Sequence, residues 1–172
     1  MLIRPLEERL RERKGALTTW RRGIAHARRI EKGGDSFVFH GTSMECAQSI
    51  LRIGFHRMMG FNLLDQDTSG VHVYWGPLRY ALNFAARHSY PAILAAPLAD
   101  VLASGTPLPM TSDDRLLEDE PELETWQQSH AESGCLRVLG GTHVANMQLI
   151  HADPVIAQKA GNHGEIGLNA IP

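Results

Sequence analysis

Apolar residues at Ile3, Leu6, Leu10, Leu17, Trp20, Ile24 and Ala27 recur every three or four positions, with a break at Arg13. That spacing predicts an amphipathic helical segment that packs by one face. Gly15 and Gly23 weaken it, so one helix or two shorter ones fit the pattern. After Gly33-Gly34 the pattern changes. Phe37 to Phe39 form a continuous apolar run that reads as a buried strand. His40 stands at its end, Gly41 and Thr42 are expected to turn the chain, and Ser43 is a good N-cap. Cys46, Ala47, Ile50 and Leu51 then make one face of a helix that Gly54 would stop.

Residues 55–70 have no steady period and read as a long loop, with His56 and Arg57 placed to cover a pocket mouth. VHVYWG, residues 71–76, is rich in valine and aromatics and predicts a strand. Strict alternation puts His72 and Tyr74 on one face and Val71, Val73 and Trp75 on the other. Leu78 to His88 reads as a helix with Leu78, Ala81, Leu82 and Ala85 as its apolar stripe and Arg87 at its edge. The run 92–103 predicts a strand as far as Pro97 and a helical turn after it. Leu116, Leu117, Leu123 and Trp126 suggest short helices, CLRVLGG (135–141) a strand and turn, and VANMQLI (144–150) a further strand. The order predicts an α+β fold: a mixed or antiparallel sheet with peripheral helices. The expected organisation is a basic amphipathic helical segment at 1–32, a domain at 33–160 and a flexible, glycine-rich tail at 161–172.

Composition narrows the classes. The 172 residues are 43% apolar and 21% charged, the balance of one soluble globular domain. No stretch has the length of a membrane span, and no apolar block follows the N-terminal arginines, so neither a spanning helix nor a secretory signal is expected. Cys46 and Cys135 form no disulfide framework and read as reduced thiols of a cytoplasmic protein; delivery by a specialised secretion system would leave no mark to find.

The net charge of -2 hides an asymmetry. Residues 1–32 hold ten Lys or Arg against four Glu, while the remainder holds seven against fifteen acidic residues. A basic segment on an acidic body could contact a partner, and the Arg pairs at 21–22 and 28–29 could meet phosphates. The acidic run at 111–124 reads as a solvated surface. His143, His151 and His163 are too scattered for a metal set, and no metal is expected. There is no G-x-G-x-x-G or G-x-x-x-x-G-K-[ST]. The candidate chemistry is therefore the strand-end His40 with Gly41, Thr42 and Ser43, and the face carrying His72 and Tyr74.

FVFHGTSMECAQSILRIGF resembles the first motif of the ADP-ribosyltransferase fold, a strand ending in His-Gly-Thr followed by a helix. VHVYWGPLRYALNFAARH resembles the second, a strand carrying the Tyr of a His-Tyr-Glu set and then an alanine-lined helix. The resemblance is to the poly-ADP-ribose-polymerase and diphtheria-toxin-like clade. The two blocks cover about a third of the chain and occur in the family's order. The resemblance implies a split sheet with an NAD cleft and transfer of ADP-ribose to a protein or nucleic-acid acceptor with release of nicotinamide. His40 would contact ribose hydroxyls, Gly41 would offer its backbone to the nicotinamide amide, and Tyr74 would stack on the ring. Thr42, His72 and Arg87 would complete the cofactor contacts. The family's catalytic Glu aligns with Cys135, and the nearest carboxylate, Glu132, is the candidate in its place.

The same blocks are similar to the NAD-dependent RNA 2'-phosphotransferases, whose second-strand His-Val-His-Leu corresponds to His72-Val73-Tyr74-Trp75. That family's winged-helix domain is not recognisable in residues 1–32. A catalytically degenerate module that binds NAD, ADP-ribose or a protein is the remaining alternative.

Overall fold

The computed structural model describes residues 3–33, 36–56, 71–109 and 125–150. The basic segment forms two helices, α1 (Ile3–Arg11) and α2 (Ala16–Lys32). The break falls at Gly15, whose φ of 80° is the left-handed conformation that only glycine adopts without strain. Gly23 does not break α2; it is buried within it.

Among the described residues the strands pair antiparallel in two three-stranded sheets. One sheet has the order β1 (Phe37–Ser43), β3 (Pro91–Pro97), β6 (Gln148–Leu149). The other has the order β2 (His72–Trp75), β5 (Leu136–Leu139), β4 (Thr106–Leu108). They meet edge to edge at one residue pair: the Phe39 N–H donates to the Gly76 carbonyl (2.7 Å) and the Gly76 N–H to the Phe39 carbonyl (3.0 Å). The architecture is α+β.

Several expectations need correction. Gly41 and Thr42 do not turn the chain: β1 continues through Ser43, with Gly41 opposite Ile93 and Thr42 opposite Ala92. The continuous pairing with β3 overrides the local turn signal of His-Gly-Thr. Of the predicted strand 144–150, Gln148 and Leu149 form β6, and the Ile150 N–H donates to the Ile93 carbonyl at 2.8 Å. β4 contains Pro107, which an edge strand tolerates because one side of its backbone needs no ladder partner. Arg57, the rest of the predicted loop to 70, the acidic run at 111–124, and the final element and tail beyond 150 lie outside the described residues.

Apolar cores lie on both faces of the β1–β3 sheet. Val38, Leu94 and Ala96 join Val73, Trp75, Leu136 and Val138 of the other sheet, and α3 (Met44–Ile53) and α5 (Leu98–Ala103) add Ala47, Ile50 and Val101. Phe39, Ile93 and Ala95 point the other way, against Leu78, Ala81, Leu82 and Ala85 of α4 (Leu78–Ala85) and Ala27 of α2. Covered on both faces, β3 has no polar alternation: it reads PAILAAP and is buried from Pro91 to Ala96.

The N-terminal helices hold both ends of α4. Pro77, at its N-cap, offers no side-chain oxygen, and Glu31 of α2 supplies one instead by accepting from the Leu78 N–H at 2.9 Å. At the other end Arg9 donates to the Ala86 carbonyl at 2.8 Å and Arg13 to that of Ser89. The Arg13 guanidinium also lies over the Tyr90 ring, 4.1 Å from its centre. Leu6 and Leu10 are buried beside Ala86. A carboxylate at the start and guanidinium groups at the end match the partial charges of helix termini.

Candidate functional site

The site follows from the direction in which backbone groups leave β1. Along an antiparallel strand they point alternately to the two edges. At the ends of the β1–β3 ladder the Leu98 N–H donates to Ser36 and the Met44 N–H to Tyr90, both at 2.7 Å. The even-numbered residues of β1 therefore bond to β3, and Phe37, Phe39, Gly41 and Ser43 face the β2 edge. In β2 the Gly140 N–H donates to Val71 at 2.8 Å, so the odd-numbered residues bond to β5. His72, Tyr74 and Gly76 then face β1.

Extending the register from Phe39–Gly76 puts His40 opposite Trp75 and Gly41 opposite Tyr74. The first pairing occurs through side chains: the His40 and Trp75 ring centres are 5.8 Å apart. The second does not occur. The Tyr74 carbonyl is taken by His40 Nδ1 at 2.8 Å, where a continuous ladder would offer it the Gly41 N–H. The two strands part here. The Gly41 N–H and C=O are left on the open edge, and no other described main-chain group pairs with them.

His40 is fixed in one protonation pattern. A carbonyl only accepts, so Nδ1 carries the proton and the neutral ring presents Nε2 as an acceptor. Burial lowers the pKa of His40 below its ordinary 6.5, and the bond to Tyr74 opposes that only partly. The ring stands edge-on to Phe55 at 5.1 Å, and Phe55 stands edge-on to Trp75 at 5.8 Å. Phe55 and Trp75 thus hold the imidazole in place. Sequence reading assigned Trp75 to packing and attached no role to Phe55. The available signal was position: Phe55 directly follows the glycine that ends α3.

A side chain at Gly41 would force β1 and α4 apart. A Cβ there would fall on the Ala81 carbonyl oxygen and lie 2.7 Å from its carbon, so β1 and the backbone of α4 touch at this point. Ser43 caps α3 as expected, accepting from the Cys46 N–H at 3.1 Å. Thr42 is buried beside it.

β2 alternates as expected, with Val73 and Trp75 buried and His72 and Tyr74 half-buried on the other face. Both His72 ring nitrogens are shut off from water and have no hydrogen-bond partner, nor does Trp75 Nε1. Buried polar atoms left unbonded are uncommon and costly. His72 is the one of these that shares Tyr74's face.

β5 itself carries no carboxylate to this face. Cross-strand partners share a face, and β5 places Arg137 opposite Tyr74 and Leu139 opposite His72. One residue before β5, Cys135 lies beside Gly76: a Cβ on Gly76 would be 2.9 Å from its Sγ. Arg137 Nε donates to the Pro109 carbonyl at 2.9 Å. Cys135 is buried, and its main-chain carbonyl accepts from Ser129 Oγ at 2.8 Å. Glu132 is exposed on α6 (Trp126–Ser133), not at the start of a strand. A capping box at Thr125 and Gln128 starts that helix and Gly134 ends it, so the chain reaches β5 only at Leu136. Arg87 is exposed just after α4, its guanidinium 4.7 Å above the Phe84 ring. His56 is exposed, its Nε2 3.0 Å from the Ile53 carbonyl. The structure therefore brings the His40 imidazole to the Tyr74 main chain beside Gly41, turns the His72 and Tyr74 side chains to the opposite face from His40, and carries Glu132 on another element.

No helix among the described residues is long and apolar enough to cross a membrane. No family model, curated protein or solved structure compared with this chain matches it.

Proposed function

We propose that the split between β1 and β2 binds NAD and that the protein is an ADP-ribosyltransferase, passing ADP-ribose to a protein or nucleic-acid acceptor. The observation that carries this reading is the N–H and C=O of Gly41, which no described main-chain group pairs, at the point where the two strands part. A primary carboxamide offers one acceptor and two donors, so nicotinamide could take the place of the missing β2 residue by accepting from the N–H and donating to the C=O. His40 supports the same reading. With Nδ1 donating to the Tyr74 carbonyl, its Nε2 is an acceptor suited to a ribose hydroxyl. The unbonded nitrogens of His72, on the face of Tyr74, are polar groups that a ligand would satisfy.

In the reaction the ribose C1'–nicotinamide bond breaks, and its electron pair leaves with neutral nicotinamide. The acceptor nucleophile forms the new bond to C1' and gives up its proton. The residues of this chain would bind the carboxamide, orient the ribose and shield the ring with Tyr74. Stabilising the cationic sugar is the step for which the site is poorly equipped, since Cys135 and Arg137 occupy the β5 side of Tyr74. That observation favours a second reading, a module that binds NAD or ADP-ribose with little or no turnover.

Calorimetric titration with NAD tests the site, and assay of nicotinamide release separates the two readings. Saturable binding that Tyr74→Ala abolishes is expected. Release of nicotinamide supports the transferase, and binding without release supports the module. No binding at millimolar NAD overturns both.

A further inference from the structure

α2 packs by one side only. Ala27 and Gly23 are buried, and Trp20, Ile24 and Ile30 lean on the core. At about 100° per residue, Arg21, Arg22, Arg28, Arg29 and Lys32 fall within about 120° of the opposite side. All five are exposed. Arg21 is paired with Glu7, its Nη2 2.7 Å from the carboxylate. The other four have no ion-pair partner among the described residues. The only carboxylate on α2, Glu31, turns away to the Leu78 N–H at the start of α4. Arg9 and Arg13 are spent on carbonyls at the other end of α4. The segment's charge is thus divided: one set of charged groups locks α4 in place, and the other is exposed, with only Arg21 ion-paired among the described residues.

We infer that this displayed face is a binding surface for the phosphate backbone of a nucleic acid. Three of its four unpaired cations are arginines, whose planar fork matches phosphate oxygens. Arg22 and Arg29 lie two turns apart along a straight rod, about 10 Å, and Arg28 and Lys32 one turn apart beside them. The only apolar residue among them is the small Ala25. A protein partner normally needs apolar or aromatic anchors at the centre of its interface, and the apolar side chains of α2 are turned inward. Long-range attraction to a polyanion needs no anchor. The inference is independent of the NAD reading, because α2 contributes no residue to the split.

The test is fluorescence anisotropy of the full chain with labelled single- and double-stranded oligonucleotides at 50 and 200 mM salt. Binding is expected at low salt and should weaken steeply at high salt. Replacing Arg22, Arg28, Arg29 and Lys32 together with Gln should weaken it by roughly tenfold or more and lower the log–log salt slope by about three on a single strand. These positions are exposed, so the variant should keep its circular dichroism and melting temperature. Three results would overturn the inference: no binding by the wild type at 50 mM salt; an affinity and slope unchanged in the quadruple variant; or displacement of the oligonucleotide by polyglutamate at equal charge concentration, which would assign the face to an acidic protein.

Discussion

On its β3 edge β1 is paired from Phe37 to Ser43; on its β2 edge only Phe39 is paired. The same seven residues thus have a structural edge and an open one. The closed edge lies between Ala- and Ile-rich faces, buried on both sides, where each unpaired backbone group would be costly. The open edge begins where an imidazole takes the acceptor that the next backbone N–H would have used. A single side chain bonded to a neighbouring strand can therefore end a ladder and release a donor and an acceptor at a defined place. The contrast shows how one strand can carry both stability and recognition without either demand fixing the other.

Four changes test that contrast. Ile93→Ala, on the closed edge opposite Gly41, removes a fully buried side chain and should cost about 2–5 kcal/mol. Denaturant unfolding reads the loss, and ligand affinity of the folded fraction should be unchanged. Gly41→Ala should cost about 1–3 kcal/mol because its Cβ meets the α4 backbone. Unlike Ile93→Ala it should also weaken NAD binding, as the strand edge shifts away from α4. A stable Gly41→Ala variant with normal affinity would mean that β1 and α4 do not touch as described.

His40→Phe keeps the ring packing with Phe55 and Trp75 but leaves the Tyr74 carbonyl without its donor. A cost of about 1–2 kcal/mol is expected, with affinity for NAD reduced by more than that stability loss explains. Titrations of wild type and variant at one temperature compare the two. The smallest effect is on pH. The folded-state pKa of His40 lies below its ordinary 6.5, so near that pH the unfolded chain binds a proton that the folded chain does not. This contribution is intact above about pH 6.5 and is lost as the pH falls from there toward the folded-state pKa. Urea unfolding between pH 7.5 and 5.5 should therefore show a shallower loss of stability in His40→Phe than in the wild type.

Much of the fold was legible because each of these elements has a local cause. The three-four spacing gave the N-terminal helices, the Gly54 stop gave the end of α3, and alternation put His72 and Tyr74 on one face of β2. The misread segments were those whose partners lie far along the chain. Gly41 and Thr42 carry a turn signal, yet they pair with Ile93 and Ala92.

By itself the sequence determined the types of element and which residues carry candidate chemistry, since periodicity, caps and glycine stops act over a few residues. It also singled out His40, Gly41, His72 and Tyr74, which lie on the two strands that part, His40 on one face and His72 and Tyr74 on the other. Only the tertiary structure decided what those residues can do. The freedom of the Gly41 edge depends on the path of a strand more than thirty residues away. The tautomer of His40 depends on the Tyr74 carbonyl that it meets there. The division of the basic segment between locking α4 and facing solvent depends on which side of α2 the sheet covers. Backbone direction, burial and cross-strand pairing are properties of distant segments brought together, and no local pattern encodes them.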